Sequence, residues 1–120
     1  MYNVAIVDDD FDILNMLKKF LERSKKYNVT VYSNPLEAIG DIKDNRYEIV
    51  LLDIMMPQMN GLDLLNEINQ NNEEQKVIMM TAYSTLDKVL TSHKNGAVHY
   101  FMKPFLSLEA FEEKIQEIID

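Results

Sequence analysis

Cysteine is absent from this chain, and several kinds of chemistry are excluded with it. Without cysteine there is no disulfide framework, no thiolate metal site and no thiol nucleophile. No apolar run approaches the ~20 residues that a helix needs to cross a bilayer. The amino terminus also lacks the basic stretch that opens a signal peptide. We therefore expect a cytoplasmic protein that does not bind a membrane.

Basic residues are scarce as well. The chain has 12 Lys and Arg against 20 Asp and Glu, a net charge of -8. Because nucleic acid backbones are bound by basic patches, we expect no direct binding of nucleic acid by this chain. The length of 120 residues and the hydrophobic fraction of 47% are typical of one globular domain. We therefore predict a single domain over residues 1–120.

Five short apolar runs alternate with five amphipathic segments. The predicted strands lie at residues 4–7, 29–32, 49–52, 77–80 and 98–102. The predicted helices lie at residues 12–25, 35–42, 62–68 and 84–95, and from 107 onward. This alternation is typical of an α/β domain whose parallel sheet carries helices on both faces. We predict a doubly wound, flavodoxin-like fold with strand order 2-1-3-4-5, which is one of the two common orders of such sheets.

Polar residues stand where four of these strands end. Asp8 and Asp9 follow the first strand, Asp53 the third, Thr81 the fourth, and Lys103 the fifth. In the predicted order, the carboxyl ends of the first and third strands flank the point where such sheets bind ligands. A lone aspartate at a strand end more commonly caps a helix. The functional interpretation therefore depends on the whole set of five side chains.

The expected cluster needs a cation. Two carboxylates ~4 Å apart repel by about 4 kcal/mol at an effective dielectric of about 20. Oxygen ligands with access to water favour a hard divalent ion, so we predict Mg²⁺, with Mn²⁺ as an alternative, held by Asp8 and Asp9. Asp53 lies between this pair and Thr81 with Lys103, which makes it the best candidate for a nucleophile that forms an aspartyl phosphate.

Four motifs identify a known family. They are Val7-Asp8-Asp9, Leu52-Asp53-Ile54-Met55-Met56-Pro57 through Asn60-Gly61, Met80-Thr81-Ala82, and Met102-Lys103-Pro104-Phe105. Over essentially the whole chain, they resemble the motifs of the receiver domain of bacterial two-component response regulators, of the chemotaxis-regulator type. The resemblance implies a phosphorylation-activated switch, not an enzyme, with at most slow autodephosphorylation.

The resemblance also implies roles at the site. Asp53 would accept a phosphoryl group from a phosphohistidine of a histidine kinase or of a phosphotransfer protein. Asp9, Asp53 and the backbone carbonyl of Met55 would bind Mg²⁺, and Asp8 would help through water.

On the phosphoryl side, the resemblance implies that Thr81, the backbone of Ala82 and Lys103 contact the phosphoryl oxygens. Thr81 would then move inward and Tyr100 would follow it. This movement would change the face made by the fourth helix, the fifth strand and the fifth helix. Without the resemblance, Tyr100 would be interpreted as a half-buried strand tyrosine.

Two positions depart from the polar versions of the family. Met55 and Tyr83 lie two residues after Asp53 and Thr81, where polar side chains help to position the attacking water. We therefore expect a long-lived phosphoryl group. The same Met55 argues against a competing function, a Mg²⁺-dependent phosphatase of the haloacid-dehalogenase type, because such enzymes carry a second aspartate there. A third alternative is an interaction module with a vestigial site.

The resemblance leaves the output open. The chain is either a stand-alone receiver that regulates a partner protein or the receiver of a longer regulator with a carboxyl-terminal output domain. A phosphorylation-dependent dimer is also compatible with the family. We predict that the kinase docks on the first helix, including Met16 and Leu17, and on the loop after the fifth strand.

Overall fold

The computed structural model describes residues 1–44, 47–71, 74–81, 96–97, 99–103 and 107–120. Its strands are β1 (Tyr2–Val7), β2 (Tyr27–Tyr32), β3 (Ile49–Asp53), β4 (Val77–Thr81) and β5 (His99–Met102). Its helices are α1 (Phe11–Glu22), α2 (Pro35–Asp44), α3 (Gly61–Asn71) and α4 (Leu108–Ile119), the last corresponding to the final predicted helix. The fourth predicted helix, residues 84–95, lies outside the described residues.

The five strands form one parallel sheet in the order β2-β1-β3-β4-β5, which confirms the predicted fold. All residues of β3 and β4 are buried. Strands covered on both faces have no solvent side, which explains why these two runs are continuously apolar.

Helices cover the two faces of the sheet. On one face, α1 and α4 contribute Leu14, Leu17, Leu21, Phe111 and Ile115 to a common core. On the other face, α2 and α3 contribute Ala38, Ile42, Leu64, Leu65 and Ile68. In the described part of the chain, no helix combines the length and the apolar character that a membrane crossing requires.

Several element bounds differ from the prediction. Helix α1 ends at Glu22, three residues before the predicted end. Lys25 has a φ of 61°, a left-handed conformation that cannot continue an α-helix. Strands β1 and β2 each begin two residues early, because Asn3 and Asn28 interrupt the apolar pattern but pair across the strands, with Asn28 Nδ2 donating to Asn3 Oδ1 at 3.1 Å.

Polar contacts fix the carboxyl-terminal end of α4 to the sheet. The Tyr27 hydroxyl donates to Gln116 Oε1 at 2.9 Å, and burial raises the pKa of Tyr27 to about 12. Lys76 Nζ donates to the carbonyl of Ile118 at 2.7 Å, which satisfies one of the free carbonyls at the helix end. Helix α4 is therefore held by a side chain of β2 and by that of the residue just before β4, in addition to its apolar core.

Candidate functional site

The sheet register brings the polar strand ends to one level. Asp8 directly follows β1 and Asp53 ends β3, and these two strands pair in parallel. Thr81 ends β4, and Lys103 directly follows the neighbouring strand β5. The four residues therefore meet at the carboxyl edge of the sheet, which is where open α/β sheets bind ligands.

The three predicted aspartates form one cluster. Asp8 is 0% exposed and Asp53 is 4% exposed, whereas Asp9 faces solvent. One carboxylate oxygen from each aspartate lies within 4.8 Å of the other two. Two of the three charges are thus removed from water. Because the protein interior screens charges less than water does, these two carboxylates repel each other strongly.

Lys103 partly compensates the charge of this cluster. Lys103 Nζ lies 2.5 Å from Asp8 Oδ2 and 3.2 Å from Asp53 Oδ1. The Lys103 side chain is 11% exposed. One ammonium between two buried carboxylates leaves an excess of negative charge, to which the exposed Asp9 adds a third carboxylate.

The chemistry of the cluster fits a hard divalent cation. All three donor groups are carboxylates, and the exposed Asp9 gives an ion a path to water. Mg²⁺ is commonly held by one or two protein carboxylates together with waters. The residues present could therefore hold Mg²⁺, whose two positive charges would balance the excess that Lys103 leaves.

Burial and mutual repulsion disfavour the ionised forms of the two inner aspartates. Burial, followed by the charge of Asp8, raises the pKa of Asp53 to about 6, although Lys103 opposes the shift. Burial also raises the pKa of Asp8 above its ordinary value, against the hydrogen bond from Lys103. Burial alone would lower the pKa of Lys103, but its contacts with Asp8 and Asp53 outweigh burial and raise it.

Asp10 has a supporting role that was not predicted from the sequence. Its backbone N–H donates to Asp8 Oδ1 at 2.9 Å. Its side chain caps α1 by accepting from the N–H groups of Asp12 at 2.9 Å and Ile13 at 3.4 Å. Asp10 thus fixes both the start of the helix and the orientation of Asp8. The signal was present, because an aspartate just before an amphipathic helix is a common N-cap.

Gly61 lies against the backbone at the end of β3. Its N–H donates to the carbonyl of Ile54 at 2.8 Å. A Cβ at this position would lie 2.0 Å from the carbonyl oxygen of Asp53 and 2.8 Å from the Cα of Ile54. The glycine is required by this close approach. Its φ is not positive, in contrast to that of Gly96.

Gly61→Ala is expected to lower the free energy of unfolding by about 2–3 kcal/mol, because the new methyl group must push the backbone of Asp53 away. Urea denaturation measures the change. Gly40→Ala is the matched control, since a Cβ there meets nothing within 4 Å and the position lies inside α2. The control is expected to gain up to ~1 kcal/mol from helix propensity. Equal effects of the two substitutions would contradict the packing argument.

Thr81 and Tyr100, which were predicted to respond to the phosphoryl group, lie in the described part of the chain. Thr81 is buried, and its carbonyl accepts from the N–H of Lys103 at 2.7 Å. Tyr100 is half-buried on β5, opposite Met79, and packs against the core under α2 and α3. Ala82 and Tyr83 lie outside the described residues, so the prediction for these two positions rests on the sequence.

The predicted docking surface on α1 needs one correction. Met16 is 40% exposed, whereas Leu17 is 0% exposed and belongs to the core between α1 and the sheet. Leu17 therefore cannot contact a partner, because it lies on the same side of the helix as Leu14 and Leu21. Residues 104–106 of the loop after β5 lie outside the described residues.

Comparison with known proteins gives a consistent result. Residues 4–116 match the family model of the response regulator receiver domain. The sporulation initiation phosphotransferase F of Bacillus subtilis is 34% identical over 102 residues, which cover 85% of this chain and 82% of that protein. The solved response regulator protein TrrA of Thermotoga maritima, in complex with Mg(2+)-BeF, has 30% sequence identity and a TM-score of 0.87. That comparison covers 98% of this chain and 99% of the TrrA chain.

Other similar proteins are much longer than this chain. The transcriptional regulatory protein ZraR of Klebsiella oxytoca is 35% identical over 102 residues, which cover 85% of this chain but 23% of ZraR. The chain thus spans about a quarter of that relative.

Proposed function

Because the chain belongs to the response regulator receiver domain family, whose members are phosphorylation-activated signalling switches, we propose that Asp53 is the side chain that accepts the phosphoryl group. The observation that carries this proposal is the environment of Asp53 at the end of β3. Asp53 is 4% exposed and belongs to the acidic cluster. Its carboxylate and that of Asp8 both contact the ammonium group of Lys103. Asp8 shares these contacts, but only Asp53 stands on the strand between β1 and β4, and therefore between Asp8 and Thr81.

In the proposed transfer, an Asp53 carboxylate oxygen forms a bond to the phosphorus of a phosphohistidine. The bond between phosphorus and the histidine nitrogen breaks, and its electron pair stays with the imidazole, which takes a proton from water. Asp53 must be ionised to attack. Its pKa of about 6 leaves most of the population ionised at pH 7.

The surrounding residues stabilise the transferred group. Lys103 Nζ, 3.2 Å from Asp53 Oδ1, holds a positive charge beside the oxygen atoms that become more negative. The Thr81 hydroxyl and the backbone N–H of Ala82 are proposed to donate hydrogen bonds to the remaining phosphoryl oxygens. Thr81 ends β4 and Lys103 directly follows β5, so both residues already lie at the carboxyl edge of the sheet beside Asp53.

The metal ligands in this proposal are Asp8, Asp9, Asp53 and the backbone carbonyl of Met55, with Asp8 acting through water. Bound Mg²⁺, or Mn²⁺ as an alternative, would neutralise part of the charge on the transferring oxygens. The complex of the Thermotoga relative with Mg(2+)-BeF supports this assignment. The three clustered aspartates of this chain support it independently.

Thr81 and Tyr100 are proposed to carry the switch. A phosphoryl group adds nearly two negative charges near pH 7. A shift of the population from 1:99 to 99:1 requires about 5.5 kcal/mol of preference for the active state. Several charge-assisted hydrogen bonds of about 1.5–3 kcal/mol each would supply it. Tyr100, half-buried on β5, would follow Thr81 and change the surface formed by β5 and the helices beside it.

The proposed donor of the phosphoryl group is a histidine kinase or a phosphotransfer protein. The proposed target that the phosphorylated chain regulates is a partner protein or an output domain. The phosphotransferase relative supports the first, and the much longer transcriptional regulator supports an output domain. A phosphorylation-dependent dimer is part of the same proposal.

Acetyl phosphate with Mg²⁺ is expected to add one phosphoryl group to the wild-type chain and none to Asp53→Asn, because only an ionised carboxylate can attack. Intact-protein mass spectrometry measures the product. Asp63→Asn, on the exposed first turn of α3, is the matched control and should be labelled like the wild type. Persistent labelling of Asp53→Asn, or an unlabelled wild type, would contradict the proposal.

Turnover of the phosphoryl group is proposed to be slow, since Met55 and Tyr83 offer no evident pair to orient water. Exchange to Met55→Asn with Tyr83→Glu is expected to accelerate phosphate loss roughly tenfold or more, because a positioned acid or base commonly contributes at least that much. The decay of labelled protein measures the rate. An unchanged or slower decay would contradict the proposal that Met55 and Tyr83 slow the loss of phosphate.

A separate assay distinguishes the competing function. Rapid hydrolysis of generic phosphomonoesters by the wild type would favour a phosphatase.

A further inference from the structure

The outward side of α1 and the turn that follows it carry four exposed basic residues, which we call the basic stripe. They are Lys19, Arg23, Lys25 and Lys26. No carboxylate of the described residues forms an ion pair with any of them. An uncompensated cationic surface stands out on a chain with a net charge of -8. It points to an anionic partner.

The outward side of α4 carries the opposite charge. Glu109, Glu113 and Glu117 are all exposed and follow one another at intervals of four residues, so they line one side of the helix. We call them the acidic stripe. Glu117 pairs with Lys114 at 3.3 Å, and Glu109 accepts a hydrogen bond from the Ser107 hydroxyl at 3.4 Å. Glu113 forms no ion pair with a described residue.

Both stripes lie on the same side of the molecule. The two helices pack on one common core and leave their opposite sides to solvent. In a parallel sheet, both helices return from the carboxyl edge to the amino edge, so α1 and α4 point the same way. The α1/α4 face, meaning the outward sides of these two helices, therefore presents a positive and a negative strip side by side.

We propose that the α1/α4 face is a homodimer interface, in which the basic stripe of each copy contacts the acidic stripe of the other. A twofold axis that lies between the copies and parallel to the helices places α1 of one copy on α4 of the other. It also keeps the helix ends aligned. The basic end of α1 then meets the half of α4 that carries Glu113 and Glu117, and both contacts form twice.

A second copy fits this surface better than a polynucleotide. Phosphate backbones would meet the acidic stripe directly beside the basic one. A copy of the same chain satisfies both stripes at once. The charges of both stripes are present before phosphorylation of Asp53, so the proposed dimer does not require it. The interface shares α4 with the proposed switch surface but also includes α1, which that surface does not contain.

The dimer is weak and depends on salt. A helix of 12 residues is roughly 18 Å long, so two helices cover less than the ~800 Å² per partner of a stable interface. Exposed ion pairs contribute little individually and are screened by salt. Near the start of α1, Asp12 would face Glu109, and this repulsion weakens the dimer further.

Sedimentation equilibrium of the unphosphorylated full chain tests the proposal. Between about 20 and about 500 mM NaCl, the dissociation constant is expected to rise at least about tenfold. Two charge exchanges, Lys19→Glu with Arg23→Glu and Glu113→Lys with Glu117→Lys, should each abolish association at low salt. All four positions are exposed, and circular dichroism checks that each variant is folded. Asp12→Lys should tighten the dimer.

Complementation makes the test specific. An equimolar mixture of the two exchange variants should form heterodimers, because each stripe again meets its opposite. The chain with all four substitutions keeps the wild-type net charge and should dimerise with itself. Lys43→Glu on α2 should associate like the wild type. A wild type that stays monomeric at about 1 mM and low salt, whether or not it binds an oligonucleotide, would overturn the proposal. So would exchange variants that still associate alone, or a mixture of them that does not.

Discussion

Replacement of Lys103 by methionine is expected to lower the free energy of unfolding of the metal-free protein by about 3 kcal/mol at pH 7. Lys103 Nζ lies 2.5 Å from Asp8 Oδ2 and 3.2 Å from Asp53 Oδ1, and both carboxylates are buried. Removal of the ammonium leaves two buried like charges without a cation. Proton uptake by these aspartates limits the loss.

The pH dependence of this loss has a defined sign. The pKa values of Asp8 and Asp53 are both raised, that of Asp53 to about 6, so Asp53 becomes neutral as the pH falls below 6 and Asp8 takes up its proton at a higher pH than an ordinary aspartate. The cost of removing Lys103 should therefore shrink below pH 6. On the alkaline side, the raised pKa of Lys103 means that the wild type keeps its ion pairs up to and beyond the ordinary lysine range.

Urea denaturation at several pH values, with and without Mg²⁺, measures this effect. Mg²⁺ should restore part of the lost stability, because it supplies positive charge to the same carboxylates. Lys43→Met is the matched control, since Lys43 pairs with Glu67 at 3.3 Å but is 35% exposed. An exposed pair should contribute less than about 1 kcal/mol. A similar loss of unfolding free energy for Lys103→Met and Lys43→Met would contradict the argument that Lys103 offsets the repulsion between Asp8 and Asp53.

Asp53→Asn is expected to stabilise the metal-free protein by about 2–3 kcal/mol at pH 7. Asparagine keeps the shape of the side chain and removes a charge that the fold disfavours. The pKa of Asp53 is about 6 in the folded protein against 3.8 for the ordinary group. Each unit corresponds to about 1.4 kcal/mol, which bounds the gain.

The gain should appear over a particular pH range. Below about pH 4, Asp53 is protonated in both the folded and the unfolded chain, so the substitution changes little. Between pH 4 and pH 6 the unfolded chain loses its proton first, and the wild type becomes progressively less stable than the variant. Above pH 6 the difference is constant.

Denaturation curves from pH 3.5 to 8 test this prediction, with Asp63→Asn as the exposed control on α3. The control should stay within about 0.5 kcal/mol of the wild type. Added Mg²⁺ should stabilise the wild type more than Asp53→Asn, because the variant has lost one ligand. A gain that is independent of pH would contradict a charge effect, and a loss at pH 7 would mean that the ionised Asp53 is favoured by the fold.

Much of the site could be predicted because its residues carry local signals. Asp8 and Asp53 each end an apolar run, and parallel strands bring such ends to one edge of the sheet. The sequence also predicts that Leu17 is buried and Met16 exposed, because Leu17 continues the apolar stripe of Leu14 and Leu21 along the helix. The docking prediction that included Leu17 was wrong because it ignored this periodicity.

Other features have no local signal. The sequence shows an aspartate at position 10, but the hydrogen bond from its N–H to Asp8 depends on the path of the turn. Gly61 could be recognised as a loop glycine, whereas its contact with the carbonyl of Asp53 depends on how α3 meets β3. The basic and acidic stripes can be counted along the chain, but only helix packing shows that they share one face.

The amino-acid order alone determined the alternation of strands and helices and which side chains end the strands. These follow from period, turn residues and chain direction, all of which act over a few positions. The tertiary structure decided that Lys103 meets Asp8 across 95 positions of sequence, that the pKa of Asp53 rises to about 6, and that α1 and α4 share one surface. Distance and burial set the strength of a charge interaction, and both exist only once remote segments have packed together.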